Sequence, residues 1–368
     1  MVNFRANSLF RTFLGLSAAA SLGLAGCGDD GGGGTGGPDP IEIDPAGTHT
    51  QYVVSDLTIP ASATESKSLA LDIDGDGETE NALGGLLGAL ASTADLDLQT
   101  GVDEQIAEAS FILLASIKAT DIANASGVGT FIFFGENPSP AACTNPDDIA
   151  TCGKHLNGTG MFDVAANSPK DSVLAGTLAG GGLTTNPGTV SIELPLGDTA
   201  PLQIDLIGAQ IQATVSATGI TEGRIAGAIT DDDVKNKVIP SVQVLVTGLI
   251  TDDCPDAVPG ACACTGGGSG EAVLGFFDGG YTVCNEFDSA DPTVCIDSEI
   301  VGKDDCKVDQ EELIQNSLIG ATLLNPDLDL LDAGGAYNPN SDGVVDSLSL
   351  AIGFSAVSGM FTLPAGVE

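Results

Sequence analysis

The sequence predicts a mainly β chain of α+β type: an antiparallel β-sandwich core with a few covering helices and a disulfide-rich loop region. Three observations carry this. Val190, Ile192, Leu194 and Leu196, then Leu202, Ile204 and Leu206, then Ala209, Ile211, Ala213, Val215 and Ala217 alternate with polar residues. That period of two marks strands with one face on a core and one in water. Asn186-Pro187-Gly188 and Gly197-Asp198 interrupt these runs, so neighbouring strands fold back on one another, and two packed sheets bury their inner faces economically. Finally, hydrophobic residues make up 42% of the 368 residues. This is enough to fill a core although Asp plus Glu number 51 against 11 Lys plus Arg.

Residues 1–26 read as a signal peptide. Arg5 and Arg11 are its charges, and the apolar core Thr12–Gly23 is too short to span a bilayer as a helix. It ends in Leu24-Ala25-Gly26-Cys27, which resembles the lipobox of bacterial lipoproteins. The resemblance implies that Cys27 is acylated and becomes the new N-terminus, several acyl chains then holding the protein to the lipid bilayer. By the same resemblance, Gly28 in the next position, where Asp would retain the protein, implies onward transport to the outer membrane. Residues 27–50 are Gly-rich, carry Pro38, Pro40 and Pro45, and show no periodicity. They form a tether with a reach of roughly 25–30 Å.

A β-rich body at 51–251 follows. Tyr52–Ile59 and Lys67–Leu71 have strand character, and Phe111–Ile117 and Val128–Phe134 read as buried strands. Leu83, Leu86, Leu87 and Leu90 recur at i, i+3, i+4 and i+7 and predict a helix, with a second over Val102–Ala109. Thr230 and Asp233 form a capping pair. The stripe Val234, Val238, Val242, Leu245 and Leu249 then predicts a helix lying on the sheet, kinked at Pro240. Region 252–308 is loop-like and rich in Cys, Gly and Asp. Region 309–368 opens with a helix, Asp309 to Leu324, capped by Asp309 and Glu312, and closes with strands Leu348–Phe354 and Met360–Leu363 after a second acidic loop.

Eight cysteines remain beyond Cys27: Cys143, Cys152, Cys254, Cys262, Cys264, Cys284, Cys295 and Cys306. An even count in an exported chain predicts disulfides. Cys143 with Cys152 is the natural local bridge, and the other six allow 15 pairings. Zinc is disfavoured by the absence of Cys-x-x-Cys spacing and by having only His49 and His155.

Asp72, Asp74, Asp76 and Glu80 occupy the first, third, fifth and ninth places of a Ca²⁺ loop, with Gly77 at the sharp turn and Glu78 offering its backbone carbonyl. The spacing resembles the DxDxDG loops of EF-hand and thrombospondin-repeat type. Leu83 stands where a bidentate Glu would close an EF-hand. Asn338, Asn340, Asp342, Gly343 and Asp346 repeat the pattern with less charge, and Asp305, Lys307, Asp309 and Glu312 match only its back half. In bland form, each is a solvated acidic turn.

The negative surface repels nucleic acid and attracts divalent cations, and removal of Arg5 and Arg11 with the leader makes the net charge of −40 more negative still. No Trp and three Tyr leave little for stacking on sugars or bases. No catalytic motif is present: Gly267-Gly268-Ser269-Gly270-Glu271 fails the nucleophile-elbow pattern at its last place, and HExxH and phosphate-loop signatures are lacking. Through the lipobox, the Gly tether and the stretch from Asp72 to Leu90, the whole chain is similar to uncharacterised acidic lipoproteins of myxobacterial type, which implies no activity. The sequence thus predicts a lipid-anchored envelope protein with structural calcium, in surface structure or in binding an envelope protein or glycan. The runner-up is a secreted-side polysaccharide hydrolase using a carboxylate pair.

Overall fold

In the computed structural model, residues 41–367 are described except 94–97, 196–200, 256–257, 259–261, 263, 265–267, 288–293 and 318. The leader, Cys27 and most of the tether lie outside the described residues. The body begins before Thr50: the Asp44 amide already bonds the Gly127 carbonyl at 3.0 Å.

The alternating runs become strands, in chain order β1 (Thr48–Thr58), β2 (Leu113–Ala119), β3 (Asn124–Ser139), β4 (Gly160–Val164), β5 (Val173–Ala179) and β6 (Gly182–Thr185). They continue with β7 (Gly188–Leu194), β8 (Leu202–Ser216), β9 (Gly219–Thr230), β10 (Tyr281–Phe287), β11 (Cys295–Val301) and β12 (Ser347–Phe361). β1, β2, β3, β5, β6, β8, β9 and β12 pair in that order, each pair antiparallel, and β12 pairs back onto β1. This is a closed eight-stranded antiparallel barrel, and it overturns the expected sandwich. Closure depends on β1 meeting β12 with Tyr52 opposite Ser358, a pairing between opposite ends of the body. Bulges at Val54/Asp56, Ile207/Gln210 and Phe354/Ala356 add the local twist that curls one sheet onto itself.

The lumen is filled. Tyr52, Ile117, Leu174, Ile192 and Ile211 are at most 1% exposed, and the Tyr52 hydroxyl donates to the Ser216 carbonyl at 2.8 Å. A residual void of about 20 Å³ is left, room for no more than a water. Gln203, Gln210, Gln212 and Thr214 alternate with the buried residues of β8. β8 is thus apolar-in and polar-out, whereas β1, β2 and β3 also bury Val53, Leu114, Phe131 and Phe133 in a separate apolar cluster. Among the described residues no helix is long and apolar enough to cross a membrane.

Helices cover one end. Ala82–Thr93, Val234–Val238, Ile239–Asp253 and Ile319–Leu323 bury Leu83, Leu86, Val238 and Leu323 against Leu202, Ile204 and Ile229, and Leu98–Glu108 buries Val102 and Ile106. Val234 and Val238 of the expected stripe are therefore core, with Val242 and Leu249 packed against it, and Ile239, Val246 and Ile250 join them. The Thr230 hydroxyl accepts the Asp233 amide at 3.2 Å as expected. Pro240, however, marks a change of helix type, since a π-helical turn at Val234–Val238 runs directly into the α-helix Ile239–Asp253, with Pro240 in its first turn; a π turn is one way a helix accommodates such an interruption.

Two further local expectations fail. Lys67–Leu71 is not a strand, because Ser62 caps a helix at Ala63–Leu69 by accepting the Glu65 amide at 3.2 Å. The helix expected from Asp309 to Leu324 breaks into Gln310–Gln315 and Ile319–Leu323. The Cys-rich region is also more ordered than its composition suggests: it holds a helix, Ser269–Phe277, and the β10–β11 hairpin. All eight cysteines pair, as Cys143–Cys152, Cys254–Cys264, Cys262–Cys306 and Cys284–Cys295.

The outer wall of β9 and β12 carries small residues, Ala226, Ala228 and Ala351, on which Leu71, Ile73, Leu328 and Leu330 pack as a small core of their own. This packing brings both acidic loops to one place, with the first anchored by Leu71 and Ile73 and the second by Leu328 and Leu330.

Candidate cation centre

The first loop is built by its own carboxylates. Asp72 accepts the Gly75 amide on Oδ1 at 2.7 Å and the Gly77 amide on Oδ2 at 3.0 Å. Asp74 accepts the Asp76 amide at 3.2 Å, and Asp76 accepts the Glu78 amide at 2.7 Å. Gly77 has φ +95°, a conformation that glycine adopts without strain and that turns the chain back at the sixth place. The Leu71 carbonyl accepts the Glu80 amide at 3.1 Å and closes the base.

Asp72, Asp74 and Asp76 each place a carboxylate oxygen within 4.8 Å of the others. Oxygens sharing one Ca²⁺ at about 2.3–2.6 Å lie no more than about 5 Å apart, so the three carboxylates fit a single ion. Among the described residues no lysine or arginine makes an ion pair with them. Glu80 turns inward, accepting the Ile73 amide on Oε2 at 3.1 Å. Burial pushes its carboxyl up to about 7; Asp74, Asp76 and Asp72 add to this, while the Ile73 hydrogen bond opposes it. A dication would reverse that penalty. The Glu78 side chain is exposed. The loop is tied to the barrel where Gln210 Nε2 of β8 donates to the Asp72 carbonyl at 2.8 Å.

The second loop touches the first: Asn340 Nδ2 donates to the Asp74 carbonyl at 3.2 Å. The Asn338 amide bonds the Leu330 carbonyl, and Asp342 accepts the Val344 amide, both at 2.9 Å. Asp346 spends both oxygens nearby, on the Leu330 and Leu331 amides and the Ser347 hydroxyl. Sequence reasoning missed Asp329, whose Oδ2 accepts the Gly343 amide at 2.6 Å; it stands nine residues ahead of the motif, outside any spacing rule.

The third fragment is a helix start. Asp309 and Glu312 cap one another at 3.0–3.1 Å, and Glu312, 3% exposed, also accepts the Gly280 amide. Cys262, Cys306 and Asp278 also cluster, but the two sulfurs are bonded to each other.

A surface groove of about 660 Å³ crosses the wall from β1 to β6. It carries Asp56, Glu222 and Arg224, the last being the one arginine after Arg11. Arg224 donates to Gln212 Oε1 at 2.8 Å.

No protein-family model, curated protein or solved structure matches the chain.

Proposed function

We propose that this chain is an exported envelope lipoprotein, tethered to the outer membrane through acylated Cys27. Its barrel carries a structural Ca²⁺ in the Asp72–Glu80 loop and serves surface structure or the binding of an envelope protein or glycan. The observation that carries the calcium reading is the convergence of Asp72, Asp74 and Asp76 without a basic partner among the described residues. Mutual repulsion of these carboxylates opposes the turn unless a cation neutralises it. The loop joins the Ala63–Leu69 helix to the Ala82–Thr93 helix, so an ion there fixes both to the outer wall.

Sites of extracellular type bind at roughly 10⁻⁴–10⁻³ M, and Ca²⁺ at ten times its dissociation constant stabilises the fold by about 1.4 kcal/mol. Excess chelator is expected to lower the melting temperature of the mature protein by a few degrees. Asp74→Ala with Asp76→Ala should remove most of that sensitivity. A parent melting curve that does not move between chelator and several millimolar Ca²⁺ makes the loop an acidic turn only.

The anchor rests on the Leu24-Ala25-Gly26-Cys27 lipobox. Cys27→Ser should leave the body soluble after export, as read by membrane fractionation; a variant that still pellets with membranes like the parent refutes attachment at Cys27. The hydrolase reading draws on one observation, the groove that carries Asp56 and Glu222 beside Arg224, since a carboxylate pair open to water is what such chemistry needs.

A further inference from the structure

The geometry points to a second Ca²⁺ site in which Asp329, and not Asn338, supplies the first ligand, with Asn340 and Asp342 as its companions. The inference deepens the calcium reading of the first loop and rests on the same loop chemistry. In the first loop the amide at the sixth place, Gly77, donates to the carboxylate at the first place, Asp72. In the second loop the equivalent glycine, Gly343, also has positive φ, +75°, but its amide donates to Asp329 at 2.6 Å. Asn338 in the first place is held through its backbone, its amide donating to the Leu330 carbonyl. The Asp329 backbone carbonyl accepts the Asn340 amide at 2.9 Å, so both ends of the stretch from Asn340 to Gly343 are hydrogen-bonded to Asp329.

The independent pointer to a ligand is the other oxygen of Asp329. The residue is 8% exposed, and its Oδ1 is buried with no hydrogen-bond partner. Asp329 also makes no ion pair among the described residues. A buried carboxylate oxygen left without a donor is unfavourable unless a cation meets it. Asn340 donates from Nδ2 to Asp74, which leaves its amide oxygen for an ion, and Asp342 uses only Oδ1 on Val344. A carboxylate, an amide oxygen and a second carboxylate are hard oxygen donors of the type Ca²⁺ takes. Asp346, whose oxygens already hold Leu330, Leu331 and Ser347, is a turn residue and not a ligand of this ion.

The test is the number of Ca²⁺ ions bound per mature protein by equilibrium dialysis, for the parent, Asp329→Asn, Asp342→Ala and Asp74→Ala/Asp76→Ala. Asp342 is exposed, so its variant guards against a folding defect in Asp329→Asn. The expected result is one ion fewer than the parent in both Asp329→Asn and Asp342→Ala, and the same further loss when either is added to Asp74→Ala/Asp76→Ala. Parent-level binding in either of the two variants overturns the inference. A parent that loses no ion with Asp74→Ala/Asp76→Ala but one with Asp329→Asn overturns the reading of the first loop and leaves the second site standing.

Discussion

Replacing Cys262 and Cys306 together by Ser is expected to destabilise the mature protein by up to about 4 kcal/mol, the largest loss available from a single crosslink in this chain. The bridge spans a sequence separation of 44, and the chain entropy it removes from the unfolded state grows with the logarithm of the loop it closes. The local bridges Cys143–Cys152 and Cys254–Cys264, with separations of 9 and 10, should each be worth about 1 kcal/mol less on the same argument. The Cys262–Cys306 bridge also brings the start of the Cys-rich region to the entry of the Gln310–Gln315 helix, where Asp278 accepts the Asp305 and Cys306 amides. The barrel wall contains neither cysteine, so the variant should open this region first. Limited proteolysis of the double Ser variant should cut between 255 and 306 under conditions that leave the parent intact, alongside a lower melting temperature. Equal protease resistance in the two proteins would show that packing alone holds the region.

Asn81→Ala is expected to cost about 2–4 kcal/mol. β1 ends at Thr58, paired with Gly353, so β12 runs on towards Ser347 without that neighbour. The Asn81 side chain takes its place: Nδ2 donates to the Ala351 carbonyl at 2.9 Å and Oδ1 accepts the Ala351 amide at 2.7 Å. This copies one backbone pair of a ladder. The same amide group donates to the Ser66 carbonyl at 3.1 Å and caps the Ala82–Thr93 helix by accepting the Gly84 amide at 3.1 Å. Loss of the cap is worth about 1 kcal/mol. Leaving the polar groups of Ala351, a residue 0% exposed, without partners adds about 1–3 kcal/mol. A melting temperature lower by roughly 5–10 °C should result. Asn81→Asp keeps the acceptor but loses the donor, so it should fall between Asn81→Ala and the parent. A shift of under a degree for Asn81→Ala would mean that water satisfies Ala351 equally well.

The barrel explains why so much of the β content could be read locally and its closure could not. Inward Ile204 and Leu206, then Ile211, Ala213 and Val215, keep period two within each run whether the opposite wall belongs to a second sheet or to the same one. Both architectures bury one face of each strand. What selects the barrel is the pairing of β1 with β12 and the bulges that curl the sheet, and neither leaves a local pattern. β5, β6 and β9 were harder to see, because Gly176, Gly182, Gly223 and Gly227 stand in them and interrupt the alternation. The Ala63–Leu69 helix starts from a local pair, the Ser62 hydroxyl accepting the Glu65 amide, and overlaps the segment Lys67–Leu71 that the sequence reading gives strand character.

The sequence by itself determined the parts whose physics is contained in a few neighbouring residues. These are the period-two strands, the capped starts at Thr230 and Asp309, the Cys143–Cys152 bridge and the Asp72–Asp76 spacing, which forms a turn from its own side chains. Only the tertiary structure decided that the sheet closes, that Cys262 reaches Cys306, and that both acidic loops lie on Ala226, Ala228 and Ala351 of one wall. It also decided that the buried carboxylate facing the second loop belongs to Asp329. Each of these depends on which distant segments share a surface, and that is fixed by the burial of Leu71, Ile73, Leu328 and Leu330 together, a contact that no local spacing encodes.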